Sequence, residues 1–334
     1  MSAVHVEDAK PASADLNRPK RPAVWQPKQP VFWLFAALLL PCAVLVALQL
    51  GLSAKSAPAA GAAIILSAVQ ITLFALIARA MPRFTRHPWS LRLAALLWGL
   101  AIVPAVAMIA NSNAGDLYSS VGLGSLEASL SAPVNEDLIR LLGVLLVLSL
   151  AQAQPLTVMD GALYGFIVGA GFEVVENLLY ALRGDDFTAT LSVGISRLVL
   201  GFGLHALWTT VAGAALAYCL MRRQQGFSGR WWALAPAVAL PMLLHAGWDA
   251  PAFSIIVVLK LVSYVVLYAL SVGAFIVATR WGRRSEFAWY VDCGNTPRTL
   301  REFARLPRGE RRRLAEAAVR GPSPRAAEDA GVPH

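Results

Sequence analysis

Residues 31–52 read VFWLFAALLLPCAVLVALQLGL, a stretch without one charged side chain. At about 1.5 Å per residue it makes a helix roughly 33 Å long, enough to cross a hydrocarbon core about 30 Å thick. Working outward, comparable apolar runs recur at 59–81, 89–111, 132–152, 157–181, 193–220, 231–250 and 252–279. The whole chain of 334 residues is 57% hydrophobic and only 15% charged, with a mean hydropathy of +0.57. That excludes a water-soluble, disordered or fibrous protein. The expected fold class is all-α, a polytopic membrane bundle of about eight transmembrane helices.

The net charge of +9 does not point to nucleic acid, because the basic residues fall in connections and tails instead of on one continuous face. Lys10, Arg18, Lys20, Arg21 and Lys28 precede the first run. Arg79, Arg83, Arg86 and Arg92 bracket the second connection, Arg222, Arg223 and Arg230 the sixth, and Arg280, Arg283 and Arg284 follow the last run. The alternate connections hold Lys55, nothing basic across 112–131, and Arg183 beside Asp185 and Asp186. By the positive-inside rule both termini are cytoplasmic. The expected organisation is a cytoplasmic segment 1–30, a membrane domain 31–284 and a basic cytoplasmic tail 285–334. The three cysteines show no CxxC pairing, so neither disulfides nor a thiolate metal site is indicated. No cleavable signal sequence is visible at the N-terminus.

Gly161, Gly165 and Gly169 form a GxxxGxxxG stripe, read as a packing face for a neighbouring helix. More telling are ionisable groups inside the apolar runs, each costing at least about 2.5 kcal/mol at membrane depth. They are Glu136, Asp137 and Arg140 in APVNEDLIRLL, Glu173, Glu176 and Asn177 in GFEVVENLLY, His205 in GLHALWTT, and His245 with Asp249 in LLHAGWDA. Counted from the cytoplasmic edge of each run, Glu136, Glu176, His205 and His245 all fall about 22 to 26 Å up. The runs alternate in direction, so a shared depth argues for a shared site. Glu136 and Arg140, and likewise Glu173 and Asn177, are four apart and share a helix face.

A carboxylate beside water can take its proton while an imidazole steadies an oxyanion or protonates a leaving amine, which is the chemistry of amide hydrolysis. No serine lies in a GxSxG elbow and no HExxH is present. The expected mechanism is therefore metal-free, with Glu136 activating water and His245 beside His205 stabilising the oxyanion. Zinc on His205, His245 and a carboxylate is the alternative. Asp249, four residues after His245, is placed to orient that ring.

The same four stretches, in order, resemble the motifs of the PrsW family of intramembrane proteases, relatives of the CAAX prenyl proteases and bacteriocin-processing enzymes. APVNEDLIRLL is similar to the family's EExxK helix, GFEVVENLLY to its second motif with the following Tyr180, and HALWTTVAG and LLHAGWDA to its two His motifs. The resemblance covers roughly 130–250. It implies a glutamate-dependent protease of the bacterial cell membrane that clips a membrane-anchored substrate, such as an anti-sigma factor, near the extracytoplasmic face. Glu136, Glu176, His205 and His245 match the family residues. Asp137 stands where the second family Glu stands, one methylene shorter, and Arg140 replaces the family Lys with a permanent charge suited to an ion pair. A non-catalytic membrane scaffold and a proton-coupled transporter are the competing readings; the first demands closed, fully paired carboxylates and the second an inverted repeat.

Overall fold

The computed structural model describes residues 24–82, 88–151, 156–224, 231–250 and 257–292. Ala23–Ala288 form one compact unit; of the other unit only Trp289–Asp292 lies among the described residues. The expected tail structure beyond Asp292 falls outside them.

Ten α-helices are present among the described residues and no strand. They are α1 Pro30–Ser53, α2 Ala57–Ala80, α3 Trp89–Leu97, α4 Val103–Ser120, α5 Glu127–Leu150, α6 Val158–Leu182, α7 Phe187–Leu200, α8 Leu204–Gln224, α9 Leu234–Asp249 and α10 Val257–Asp292. A π-turn, Trp98–Ile102, joins α3 to α4 into one rod. It falls where Gly99 lies against α6 so closely that a Cβ there would sit 2.2 Å from the Val168 carbonyl oxygen. The protein is an all-α polytopic helical membrane protein.

Six described segments are long and apolar enough to cross a bilayer: Pro30–Ser53, Ala57–Ala80, Trp89–Ser120, Val158–Leu182, Phe187–Arg223 and Val257–Phe287. The two other expected spans exist as helices of a different kind. α5 carries Glu127, Glu136, Asp137 and Arg140, and α9 has only 16 residues. In α5 the departure follows from the site, since Glu136, Asp137 and Arg140 are buried inside the bundle.

α6 is the central helix, buried along nearly its whole length, whereas α1 and α2 leave large apolar side chains such as Leu40, Leu52 and Ile65 at the surface. In lipid there is no hydrophobic drive between helices, so close packing of small residues takes its place. The glycine stripe does this. A Cβ on Gly161, Gly165 or Gly169 would meet the carbonyl oxygens of Gly213, Thr209 and His205 at 2.0, 2.3 and 2.3 Å. The falling partner numbers show that α6 and α8 run antiparallel.

One expected span, 193–220, is two helices. α7 ends at Leu200 and α8 starts at Leu204, with Gly203 at φ +83°, a left-handed conformation that glycine accepts without strain. The break exposes backbone N–H groups in an apolar interior, and they need acceptors.

Candidate active site

Glu173 supplies those acceptors. Its buried carboxylate takes the Gly203 N–H at 2.7 Å, the His205 N–H at 3.1 Å and the Gln70 side-chain amide at 3.0 Å. The carboxylate of α6 thereby caps the start of α8 and sets the height and rotation of His205.

Around that anchor the sequence-selected residues converge. The Nε2 atoms of His205 and His245 lie 3.9 and 3.8 Å from the same oxygen, Glu136 Oε2. The other Glu136 oxygen accepts a hydrogen bond from the Asn111 side chain at 3.0 Å, and Asn111 is itself held by Asn135. Both imidazoles turn their second nitrogen to a carboxylate: His205 Nδ1 lies 3.5 Å from Glu176 and 3.8 Å from Glu173, and His245 Nδ1 3.5 Å from Asp137. Asp249 lies 3.4 Å from His245 Nε2, one turn along α9. The two rings meet edge to face at 5.2 Å, and Trp208 stacks on His245 at 4.7 Å while donating its indole N–H to Ser271.

Asp137 and Arg140 pair with each other behind these residues, with Arg140 Nη1 4.0 Å from Glu136 Oε2 and its guanidinium over the Phe172 ring. Neither lines the cleft. Glu176 and Asn177 are both gripped by Arg197 of α7, which bonds Glu176 at 2.6 Å, donates to Asn177 and stacks on Tyr180. Arg197, Gln70, Asn111 and Trp208 are site residues that the sequence pattern does not mark out. For Arg197 a signal existed, a charged residue inside an apolar run; Gln70 and Asn111 read as ordinary polar residues until their partners are seen.

A cleft of about 570 Å³ opens onto this cluster, lined by Glu136, Glu176, His205, His245 and Asp249 and walled by α4, α5, α6, α7, α8 and α9, with Tyr264 of α10 at its side. The lining reaches from the α7–α8 break at Gly201 and Leu204 to Glu127 beside the α4–α5 turn and Arg183 at the α6–α7 turn. The carboxylates and imidazoles are thus reachable from a cavity, unlike the closed, fully paired arrangement a scaffold requires.

Residues 87–275 match the family described as PrsW family intramembrane metalloprotease. The chain belongs to this family. It is a peptidase of the PrsW type, its substrate is a membrane-embedded protein, and its setting is the lipid bilayer. No curated protein and no solved structure matches the chain.

The family description bears on the two histidines, for which the sequence predicts a metal-free role. Glu136, His205 and His245 each offer a ligand atom, all within 4.8 Å of one another. Ligands about 2.0–2.1 Å from a tetrahedral ion stand roughly 3.3 Å apart, so modest closure suffices. Glu136 Oε2 is buried with no hydrogen-bond partner, as are both Nδ1 atoms. The formal charge points the same way: five carboxylates (Glu136, Asp137, Glu173, Glu176, Asp249) face two guanidinium groups (Arg140, Arg197), leaving three negative charges in excess. The residues fit a divalent cation.

Proposed function

We propose that the protein hydrolyses a peptide bond of a membrane-anchored protein near the extracytoplasmic face, with Glu136, His205 and His245 holding a divalent metal ion. The observation that carries this reading is the convergence of two imidazole Nε2 atoms on one orphaned carboxylate oxygen at the floor of an open cleft. A metal held there supplies Lewis acidity towards water and the scissile carbonyl.

The chain's own residues do the rest. Glu176 lies in the cleft beside His205 and takes a proton from water, and Arg197 fixes its orientation. Asn111 holds one Glu136 oxygen, so that the other faces the histidines. Asp137 faces His245 Nδ1 and fixes which ring nitrogen is presented, as a carboxylate behind a ligand histidine commonly does. Its shortness relative to the family glutamate suits this place, since Arg140 already fills the space behind it. Glu173 seats His205 through the start of α8. Trp208 covers His245 and limits water there. Asp249, Asn177 and Tyr180 complete the walls.

A second reading is favoured by the Arg140 guanidinium, a cation already 4.0 Å from Glu136 Oε2. In it no metal is used, Glu136 activates water, and His245 with His205 stabilises the oxyanion.

The remaining elements of the proposal concern placement. Both termini are cytoplasmic, 31–284 is the membrane domain flanked by 1–30 and 285–334, and α5 and α9 complete eight crossings. The cleft end of the bundle then faces outward in the bacterial cell membrane, and an anti-sigma factor is the kind of single-span substrate that suits it. The experiment is a substrate trap: Glu176→Gln, crosslinked in membranes, should retain single-span proteins that the wild type releases as soluble ectodomains. Equal release by wild type and variant would reject the assignment of Glu176 as base.

A further inference from the structure

The mouth of the cleft carries a cation that the hydrolytic centre does not use. Arg183 ends α6, is exposed, and lines the cleft with Tyr180 and Arg197. Its neighbours in sequence, Asp185 and Asp186, are the obvious partners, yet both are engaged elsewhere. Asp185 pairs with Lys55 from the α1–α2 turn, and Asp186 accepts the Ala189 N–H at the start of α7. What Arg183 touches is an aromatic face, with its guanidinium carbon 5.4 Å from the Tyr180 ring centroid. Arg197 lies over the same ring at 4.1 Å, but its donors are committed to Glu176 and Asn177. Tyr180 therefore carries one guanidinium already bonded to carboxylate and amide and one that forms no ion pair among the described residues.

Spacing gives the free one a place in the reaction. Seven residues separate Glu176 from Arg183, a rise of about 10 Å along the helix, the length of about three residues of extended peptide. A peptide extended along α6 with its scissile bond at Glu176 would pass Arg183 about three residues away, on the side of the α6–α7 turn. The cleft's acidic groups are engaged by other partners: Glu127 lies against Gly115 on α4, Glu136 and Asp249 around His245, Glu173 on the backbone at the start of α8, and Glu176, two turns below Arg183 on the same wall, on Arg197. A guanidinium over the Tyr180 ring presents a fork of donors matched to a carboxylate.

We propose that Arg183, seated on Tyr180, is a substrate subsite that reads an Asp or Glu side chain in the juxtamembrane segment of the protein substrate. This rests on the cleft being the peptide-binding site. An anionic lipid headgroup offers related chemistry, but Arg183 lies on the wall that carries Glu176, which favours the peptide.

The test uses the full chain in nanodiscs of zwitterionic phosphatidylcholine, with fluorescent single-span peptides of identical leucine-alanine span. One residue of the outer flank is scanned as Asp, Asn or Lys at successive positions, and binding is read by anisotropy. At one or two adjacent positions Asp should bind about two- to fivefold tighter than Asn. The ratio should fall to about one in Arg183→Gln and reverse in favour of Lys in Arg183→Glu, with unchanged thermal unfolding of both variants. Equal binding of Asp and Asn peptides at every position, or a preference that survives Arg183→Gln, would overturn the subsite while leaving the cleft a peptide site. No binding by any peptide would overturn both. Loss of the Asp preference when anionic phosphatidylglycerol is added would assign Arg183 to lipid headgroups and overturn the peptide assignment.

Discussion

Replacing Glu173 by Gln separates a residue that seats the site from one that does chemistry. In the structure one Glu173 oxygen accepts from Gly203 and Gln70, and the other from the His205 N–H. An amide can keep the first pair, but it then turns its NH2 towards the His205 N–H. A buried N–H left without an acceptor costs about 1–3 kcal/mol, and the two surviving bonds lose their charge assistance, about 1 kcal/mol each. Part of this is offset because a charge no longer has to be buried, so a net loss of about 2 kcal/mol is expected. The first turn of α8 then shifts, and His205 shifts with it. A displacement on the order of 1 Å at a reacting centre costs about 100-fold in rate. Thermal unfolding of the purified full chain and kcat/KM on a single-span reporter measure both effects. Gln70→Leu is the comparison, because it removes one donor and leaves both backbone N–H groups satisfied; its rate should stay within about threefold of wild type. A Glu173→Gln protein with unchanged activity, or a Gln70→Leu protein equally impaired, would refute the account of how α8 is seated.

Arg197→Gln should lower kcat by about 10- to 100-fold with little change in KM, because Glu176 loses its clamp, and Arg197→Lys should restore only part of it, since Lys cannot reproduce the fork; stopped reporter assays on the pair decide this. Asp137→Asn removes the charge paired with the buried Arg140, leaving it a neutral acceptor and Glu136 at 4.0 Å, and should destabilise the chain by about 2–3 kcal/mol, read by unfolding in detergent. Gly165→Val places a branched side chain where even a Cβ meets the Thr209 carbonyl oxygen at 2.3 Å, so a cost of about 3 kcal/mol or more and loss of folded protein on size exclusion are expected.

Much of this architecture is legible in the sequence, for reasons that also mark where legibility stops. Apolar length reports each crossing, because the bilayer fixes it, and the shared depth of Glu136, Glu176, His205 and His245 reports a common site because charge at that depth must be gathered somewhere. The division of 193–220 into α7 and α8 escapes a hydropathy reading, since both halves are apolar. Only Gly201 and Gly203 hint at it, and the caps come from a helix thirty residues away. Partners escape for a related reason. Gln70 and Asn111 are neutral, and nothing in their own neighbourhood says that they face Glu173 and Glu136. Asp137 and Arg140 stand out because they are ionisable at depth, but one turn of helix carries them to the back of the cluster, where they pair with each other. The glycine stripe, by contrast, reads correctly because steric approach depends on the stripe alone.

The central claim is that Glu136, His205 and His245 are ligands of one divalent ion. Metal content by mass spectrometry on the purified full chain, with activity followed through chelation and readdition, tests it most directly. The account predicts about one ion per chain, loss of that ion in His205→Ala and in His245→Ala, and activity that vanishes with the chelator and returns with the metal. Full activity in a chain stripped below about one-tenth of an ion would contradict it and move the proton transfer to Glu136 and the oxyanion to His245.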